Sequence, residues 1–321
     1  MKQLTRFLAW ITFVALSAGA HAQEWPTKPI RVILPLPPGT APDITMRLLG
    51  DRFSRMWGQP VVIENRPGAN GSIGMQAGAK APADGYTFVF NPAFVYTLVH
   101  LMMKNPGFDL DRDFAPVARV AGTPMLIAAN PQFAGNTISE IIQLAKAQPG
   151  KINVGNPGFG SVPHLVVEML NQTADISLYN VPFSGTIQSI SAAMNNDVQL
   201  VVDGTSPLMP HVKSGKLKLI AVTSSREYAG LDGYPLAKAT LPGFEVMGWF
   251  GIVAPKGVPA VVIQRVNTDV NKVLEIPEII DRFRDIGTYP MPGTVQDFAD
   301  FLREERLRWA KIVKGARIEP Q

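Results

Sequence analysis

Two loops rich in glycine and proline contain the residues with the clearest potential for binding chemistry. The loop 38–41 leads into one amphipathic segment, and the loop 158–161 leads into another, which carries His164. The first turn of a helix has N–H groups without intrahelical partners, and the helix dipole adds partial positive charge there. The two loops therefore predict a carboxylate site made of backbone donors; the alternative interpretation is that both are ordinary turns and caps.

Side chains suited to catalysis or metal binding are few. There is no cysteine, and no two histidines have the spacing of a zinc-binding helix. Ser161 stands one place too late for a hydrolase nucleophile elbow, and the loop glycines match neither a Walker loop nor a dinucleotide fingerprint. Asp109, Asp111 and Asp113 start like a calcium loop but lack its glycine and glutamate. We expect no metal, no cofactor and no enzymatic activity; a small-acid hydrolase or lyase would need His164 as a base beside Ser161.

Two further polar residues have both a binding and a structural interpretation. His164 lies in the first turn of a predicted helix, where it is either a ligand contact or proton carrier, or a satisfied structural residue. Asp203 ends an apolar strand and precedes Gly204, which predicts a position at the edge of a sheet. There it either accepts a hydrogen bond from a hydroxyl or ammonium group of a ligand, or caps the next helix.

The first 22 residues have the pattern of a secretory signal peptide. Lys2 and Arg6 precede an apolar run over 7–18, and Ala20 and Ala22 are the small residues that signal peptidase recognises. The run is shorter than the roughly 20 residues of a spanning helix, although an uncleaved anchor is the alternative. Cleavage after Ala22 would give a periplasmic mature chain. That chain is nearly neutral and has no basic cluster with interleaved aromatic residues, so we expect no nucleic-acid partner.

Short apolar runs alternate with amphipathic helical segments along the rest of the chain. Several runs are apolar at successive positions, which is typical of parallel strands covered by helices on both faces. The predicted strands are 30–36, 61–64, 87–91, 124–130, 152–155, 176–182, 198–203, 217–223 and 250–254. This repetition predicts an α/β fold with open sheets, in which ligands bind at the carboxyl ends of the strands. A chain of this length usually forms two domains.

Two helix starts have the spacing of a capping box. Thr40 and Asp43 fit the N-cap and third position of a helix over 41–57, with Gly58 as its stop. Thr294 and Asp297 repeat the pattern at the start of the last helix. The buried stripe predicted for that last helix consists of Phe298, Phe301, Leu302, Trp309, Ile312 and Val313.

The order of several short motifs resembles the Bug-type solute receptors of tripartite tricarboxylate transporters, over essentially the whole mature chain. The motifs are Pro37, Pro38 and Gly39 with Asp43 and Arg47; 64–69; 83–87; 113–117; Gly160, Ser161, His164, Leu165 and Glu168; 181–183 with Gly185; 221–223 with Arg226; 249–251 with Ala254 and Pro255; and Glu304 with Trp309. The family usually has further glycines after the two prolines. This chain has Thr40 and Ala41 there, which restricts the backbone.

The resemblance implies a type II periplasmic-binding-protein fold, in which two α/β lobes are joined by two crossing strands and hold the ligand between them. Lobe one would comprise 23–123 and 248–321, and lobe two 124–247. It also implies a monomeric receptor that closes around a small carboxylate and delivers it to the membrane permease subunits of such a transporter. A sensory receptor that presents its ligand-bound form to a membrane kinase is the alternative.

The predicted ligand site combines the loops at the strand ends with the positions that the resemblance places around one carboxylate. Its members are Leu36, Pro38, Gly39, Thr40, Ala41, Asp43, Asn91, Pro92, Phe159, Gly160, Ser161, His164, Phe183, Ser184, Gly185 and Asp203. The surroundings of Phe90, Phe159 and Phe183 look more apolar than a citrate site, which favours a monoanion or an aromatic dicarboxylate. The alternative is that these phenylalanines belong to the cores of the lobes.

Overall fold

The computed structural model describes residues 25–320, so the predicted signal peptide and its cleavage site lie outside the described residues. Within that part of the chain, no helix combines the length and the apolar character needed to cross a membrane. The strands are β1 (Ile30–Leu34), β2 (Val61–Asn65), β3 (Thr87–Pro92), β4 (Phe114–Ala129), β5 (Asn153–Asn156), β6 (Tyr179–Pro182), β7 (Leu200–Gly204), β8 (Lys218–Val222), β9 (Met247–Pro255) and β10 (Tyr289–Pro290).

The α-helices mostly follow a strand, in most cases after a short loop. They are α1 (Ala41–Trp57), α2 (Ser72–Ala79), α3 (Ala93–Thr97), α4 (Val99–Met102), α5 (Leu110–Asp113), α6 (Ile138–Ala147), α7 (Val162–Ala174), α8 (Thr186–Met194), α9 (Thr205–Lys213), α10 (Ala260–Leu274), α11 (Pro277–Asp285) and α12 (Val295–Gly315). The predicted stop of α1 is confirmed, because Gly58 follows it in the left-handed conformation with φ +64°. The acidic turn 109–113 forms the short helix α5, and Asp109 caps it.

All nine predicted strands form, but two features of the sheet were not predicted. β4 begins at Phe114 rather than near residue 124, because its first part pairs with β9 although Pro116 and Arg119 interrupt its apolar pattern. The register of that pairing shifts just after Pro116, which is where a proline is tolerated in a strand. β10 has only two residues, paired with β4, and is too short for a periodic pattern to reveal it.

β4 is shared between two halves of the sheet. The strand order is β2-β1-β3-β9-β4-β7-β5-β6, and β8 and β10 also pair with β4. Residues 114–124 of β4 pair with β9, whereas residues 125–129 pair with β7 and β8. Strands β1–β3 are parallel to one another, and so are β5–β7, so each half has three carboxyl strand ends along one edge. This is the predicted two-lobed α/β fold; the lobe limits 23–123 with 248–321, and 124–247, stay a prediction.

Apolar clusters attach helices to both faces of each half. On the first half, α1, α10 and α11 cover one face, and α2, α3 and α12 cover the other. On the second half, α6 and α7 cover one face, and α8 and α9 cover the other. Strands covered on both faces are buried throughout, which explains their continuous apolar runs.

The last helix, α12, contributes to the cores of both lobes. Phe298 and Leu302 belong to a cluster of the first lobe. Trp309, Ile312 and Val313 belong to a cluster of the second lobe. The predicted stripe is therefore buried except at Phe301, which is half-buried, and it is divided between two cores rather than packed against one.

Candidate functional site

The start of α1 does not form the predicted capping box. Thr40 occupies the N-cap position, but its hydroxyl donates to a carbonyl of the preceding turn at 3.1 Å and caps no helical N–H group. The Asp43 carboxylate accepts from the Gly39 N–H at 2.9 Å, one residue before the N-cap. The box formed by Thr294 and Asp297, in contrast, is confirmed with both of its hydrogen bonds. Asp43 differs from Asp297 because other strong donors surround it.

Asp43 is the centre of a buried hydrogen-bond network behind the first loop. Its oxygens accept from Arg47 Nε at 3.0 and 3.1 Å and from Asn65 Nδ2 at 2.9 Å. Burial opposes the charged carboxylate, but the hydrogen bonds from Arg47, the Gly39 N–H and Asn65 outweigh it and hold the pKa of Asp43 below its usual value. The Gly39 N–H is thus already occupied and is not one of the donors left for a bound carboxylate. Asp43 therefore fixes the conformation of the first loop through its hydrogen bond to Gly39.

Three backbone donors remain at the start of α1. Within residues 25–320, the N–H groups of Thr40, Ala41 and Asp43 have no acceptor. Ile44 is the first residue whose N–H bonds back, to the carbonyl of Thr40 at 3.0 Å. Unpaired N–H groups at a helix start, together with the helix dipole, favour a bound anion.

The start of α7 is capped by Ser161. Its Oγ accepts the His164 N–H at 3.2 Å and donates to the Gly158 carbonyl at 2.7 Å. The single hydroxyl proton is therefore in use, and a contact between this hydroxyl and an anion would require that bond to be exchanged. Gly160 adopts φ +75°, a conformation that favours glycine.

The backbone of the 158–161 loop still offers donors. In the part of the chain that the structure describes, the N–H groups of Phe159, Gly160 and Val162 have no acceptor. The Gly158 N–H, however, donates to Asn156 Oδ1 at 3.0 Å. The two loops thus each keep some free donors and satisfy the others internally; that the free donors bind an anion stays a prediction.

His164 is buried and neutral at this site. It is 5% exposed, its Nδ1 has no hydrogen-bond partner among the described residues, and its ring centre lies 5.0 Å from that of Phe159. Burial lowers the pKa of His164 to about 4. No hydrogen bond joins its imidazole to Ser161 Oγ in residues 25–320, so the serine–histidine pair that a hydrolase would use is not formed.

A pocket of about 380 Å³ lies where the 158–161 loop meets α3 and α4. Its lining residues are Asn70, Phe94, Leu98, Val99, Met102, Pro157, Gly158, Phe159, Gly160 and Ser161. Three of these, Phe159, Gly160 and Ser161, were predicted as site residues. The apolar contribution from 93–102 was not predicted, although that segment directly follows the carboxyl end of β3; an apolar helical run there resembles ordinary core.

The other predicted residues lie outside this pocket, but they occupy the same edges of the sheet. Leu36, Pro38, Gly39, Thr40, Ala41 and Asp43 lie between β1 and the first turn of α1; Asn91 and Pro92 end β3; His164 is in the first turn of α7; Phe183, Ser184 and Gly185 connect β6 to α8; and Asp203 lies in β7 near its end. All of them are therefore near carboxyl ends of parallel strands, where the fold predicts a ligand cleft. Their contact with one ligand stays a prediction.

The end of β3 is more deeply buried than a lining position would be. Asn91 is fully buried, with its Nδ2 at 2.9 Å from Met75 Sδ. Phe90 packs edge-to-face on Phe250 inside the core of the first lobe. The apolar character read from Phe90 therefore belongs to the lobe core rather than to the site.

Comparison with known proteins places these features in a family. The family model described as "Tripartite tricarboxylate transporter family receptor" matches residues 45–318. A protein of the UPF0065 group from Bordetella bronchiseptica is 33% identical over 316 residues, which cover 98% of this chain and 94% of that protein. Protein BugT of Bordetella pertussis is 29% identical over 324 residues, which cover 98% of this chain and 99% of BugT.

Solved structures of similar proteins have the same architecture. The structure of Rpa4515 from R. palustris with adipate has a TM-score of 0.80 at 30% identity and covers 93% of this chain and 100% of that one. The structure of MatC (Rpa3494) from Rhodopseudomonas palustris with bound malate has a TM-score of 0.74 at 28% identity. The match covers 90% of this chain and 100% of that one. The family model and the relatives match nearly the full length of the chain, and the solved structures share its two-lobed fold. The chain belongs to the family of tripartite tricarboxylate transporter receptors.

Proposed function

We propose that this receptor captures a small aliphatic or aromatic mono- or dicarboxylate in the periplasm and delivers it to a membrane transporter of the tripartite tricarboxylate type. Capture would occur by closure of the two lobes, which contacts made only in the closed state would favour. Two similar proteins, described with adipate and with malate, support a carboxylate ligand. Export to the periplasm, with cleavage after Ala22, is part of the proposal.

The observation that carries the proposal is the set of unpaired backbone donors at the starts of α1 and α7. The N–H groups of Thr40 and Ala41 belong to the first lobe, and those of Phe159, Gly160 and Val162 belong to the second. Such donors bind an anion without a permanently buried cation. Closing the lobes would bring the two sets together around one carboxylate, and opening them would release it.

The pocket beside the 158–161 loop favours a ligand with an apolar carbon chain. Phe94, Leu98, Val99 and Met102 line it opposite the 158–161 loop, and Leu98 and Met102 also pack in the cluster of the second lobe. Ligand pockets are commonly apolar with a few polar groups that fix orientation. We therefore expect the carboxylate to bind the amides and the carbon chain to bind these side chains.

Carboxylates are expected to stabilise the protein against thermal unfolding. A ligand at 100 times its dissociation constant should add about 2.7 kcal/mol to the free energy of unfolding. The panel contains adipate, malate, benzoate and phthalate, and the neutral diamide of adipate is the matched control. Mass spectrometry of the same samples should show no product. If adipate and its neutral diamide stabilised the protein equally, the carboxylate groups would not be what it binds, and the proposal would be contradicted.

Ala41→Pro is expected to weaken carboxylate binding about tenfold, because it deletes one N–H donor to a charged group. Proline suits this first helical position, and Thr40 before it already has the extended conformation that proline requires, with φ −74° and ψ 157°. Isothermal titration calorimetry measures the affinity. Val295→Pro makes the same change at the start of α12, after Thr294 at φ −72° and ψ 166°. Unchanged affinity in Ala41→Pro, or equal losses in both variants, would remove the α1 amides from the site.

A further inference from the structure

We infer that the solute carries a hydrogen-bond donor, a hydroxyl or an ammonium group, in addition to its carboxylate, and that Asp203 accepts it. The inference rests on the proposed function, since it names the chemical class of the solute that the same cleft would hold.

Asp203 lies where the cleft is expected to be deepest. It is near the carboxyl end of β7, which pairs with β4, the strand that both lobes share. Its partner in the register is Leu126 of β4, close to the point where β4 passes from one lobe to the other. The first turn of α8 is next to it, with Thr186 near its carboxylate. A ligand held between the lobes would therefore pass close to this side chain.

Half of the Asp203 carboxylate has no partner. Asp203 is buried, with 7% of its surface exposed. Oδ1 accepts the Gly204 N–H at 2.7 Å, whereas Oδ2 has no hydrogen-bond partner of good geometry within residues 25–320. The Thr186 side chain is near enough to the carboxylate to lower its pKa. Leaving a buried charged oxygen unpaired is costly, so such a group needs an explanation.

The other buried carboxylates show what a satisfied one looks like in this protein. Among the described residues, three more Asp or Glu residues are equally buried, and each contacts an arginine as well as neutral donors. They are Asp43 with Arg47, Asp269 with Arg265, and Glu305 with Arg308. Asp203 has no cation within ion-pair distance in that part of the chain. It is the exception, and it is the one of the four that ends a strand at the cleft edge.

Helix capping does not account for Asp203. The N-cap of α9 is Gly204, and no side chain caps the first turn of that helix. The one N–H group that Asp203 accepts is that of Gly204 itself, which precedes the helix. Burial raises the pKa of Asp203 to about 6, and the Gly204 N–H and Thr186 oppose this shift. The carboxyl group is therefore largely ionised at neutral pH, with one oxygen that is buried and unpaired.

An ionised Asp203 selects between solutes. Two like charges within contact distance repel, and the repulsion is stronger beside a protein than in bulk water. A second carboxylate of the solute is therefore disfavoured beside Asp203, whereas an ammonium or hydroxyl group would satisfy Oδ2. The favoured solutes place their carboxylate on the helix-start amides and their donor on Asp203, as hydroxy acids and amino acids can.

The test uses acids that share a carbon skeleton and differ at one position. One set is butyrate, 2-hydroxybutyrate and 2-aminobutyrate, and the other is succinate, malate and aspartate. Calorimetry on the wild-type protein should show that at least one substituted acid of a set binds about tenfold tighter than the unsubstituted acid. Asp203→Ala should abolish the preference. Asp203→Asn should abolish it for an ammonium group but keep it for a hydroxyl group, since the amide oxygen still accepts; this separates the two donors.

Asp197→Asn is the matched control. Asp197 precedes the amino end of the same strand and is exposed, so this variant should keep the wild-type preference. Equal binding of substituted and unsubstituted acids to the wild-type protein would overturn the inference and leave the proposed function intact. Failure of every acid to bind, including the aromatic acids of the thermal-unfolding panel, would instead refute the proposed function. Thermal unfolding of each variant without ligand confirms that the fold is kept.

Discussion

Replacing Glu305 with alanine is expected to lower the free energy of unfolding by about 3–5 kcal/mol, because it leaves three buried or half-buried donors without an acceptor. Glu305 is 5% exposed. Its Oε2 accepts from Trp249 Nε1 at 3.1 Å and from Trp309 Nε1 at 3.2 Å, and its Oε1 lies 2.5 Å from Arg308 Nη2. The two indoles belong to the cores of different lobes, so the loss affects both.

Urea denaturation measures this effect, and the neighbouring residue provides the control. Glu304 is exposed on the same turn, and Glu304→Ala should change the free energy of unfolding by less than about 0.5 kcal/mol. Glu305→Gln keeps one acceptor oxygen and should have an intermediate effect. A loss below about 1 kcal/mol for Glu305→Ala would mean that other groups or water satisfy the indoles, and that the carboxylate does not hold the two cores together.

Two buried groups are expected to give opposite pH dependences of stability between about pH 4 and pH 6. The pKa of Asp203 is raised from 3.8 to about 6, so in this range the folded protein binds more protons than the unfolded chain. The contribution of Asp203 to the free energy of unfolding is fully present below pH 3.8 and is lost as the pH rises through 6. The difference between the unfolded and folded pKa values corresponds to about 3 kcal/mol, since one pKa unit is about 1.4 kcal/mol.

His164 acts with the opposite sign. Its pKa is lowered from 6.5 to about 4, so the unfolded chain binds more protons than the folded protein in this range. Its contribution is fully present above pH 6.5 and is lost as the pH falls through 4, again by about 3 kcal/mol. In the wild-type protein the two contributions largely cancel.

Single substitutions should separate the two contributions. Relative to the wild-type protein, Asp203→Asn should gain about 3 kcal/mol in the free energy of unfolding as the pH rises from 4 to 6.5. His164→Gln should lose about as much over the same interval. Urea denaturation at several pH values measures the differences, in which the contributions of all other groups cancel. Curves that run parallel to the wild-type curve would show that the pKa of the substituted residue is not shifted in the folded protein.

The sequence predicted the elements that depend on local pattern. Strands covered on both faces have apolar runs, and the Thr294–Asp297 box needs only its own residues, so both were found. The box at Thr40 failed because Asp43 receives hydrogen bonds from Asn65, which is distant in the sequence, and from Arg47. The first part of β4 was missed because long-range pairing with β9 stabilises it against its own composition.

The candidate site was predictable only as a set of strand ends. Parallel strands align their carboxyl ends, so the loops around Gly39 and Ser161 could be assigned to one edge of each lobe. The apolar wall from α3 and α4 was not predictable, because Leu98 and Met102 look like core residues and do pack in the core of the second lobe. The missing partner of Asp203 is likewise a tertiary property, since it depends on which donors the fold leaves out of reach.

The division of α12 between two cores has a consequence for the newly made chain. Phe298 and Leu302 complete a cluster of the first lobe, and Trp309 and Val313 complete a cluster of the second. A polypeptide released from the ribosome with its amino end first therefore cannot complete these two clusters until this last helix has emerged. Premature folding inside the cell would be slow for such a chain, which suits the proposed export, since an exported protein is threaded through a narrow channel before it becomes compact.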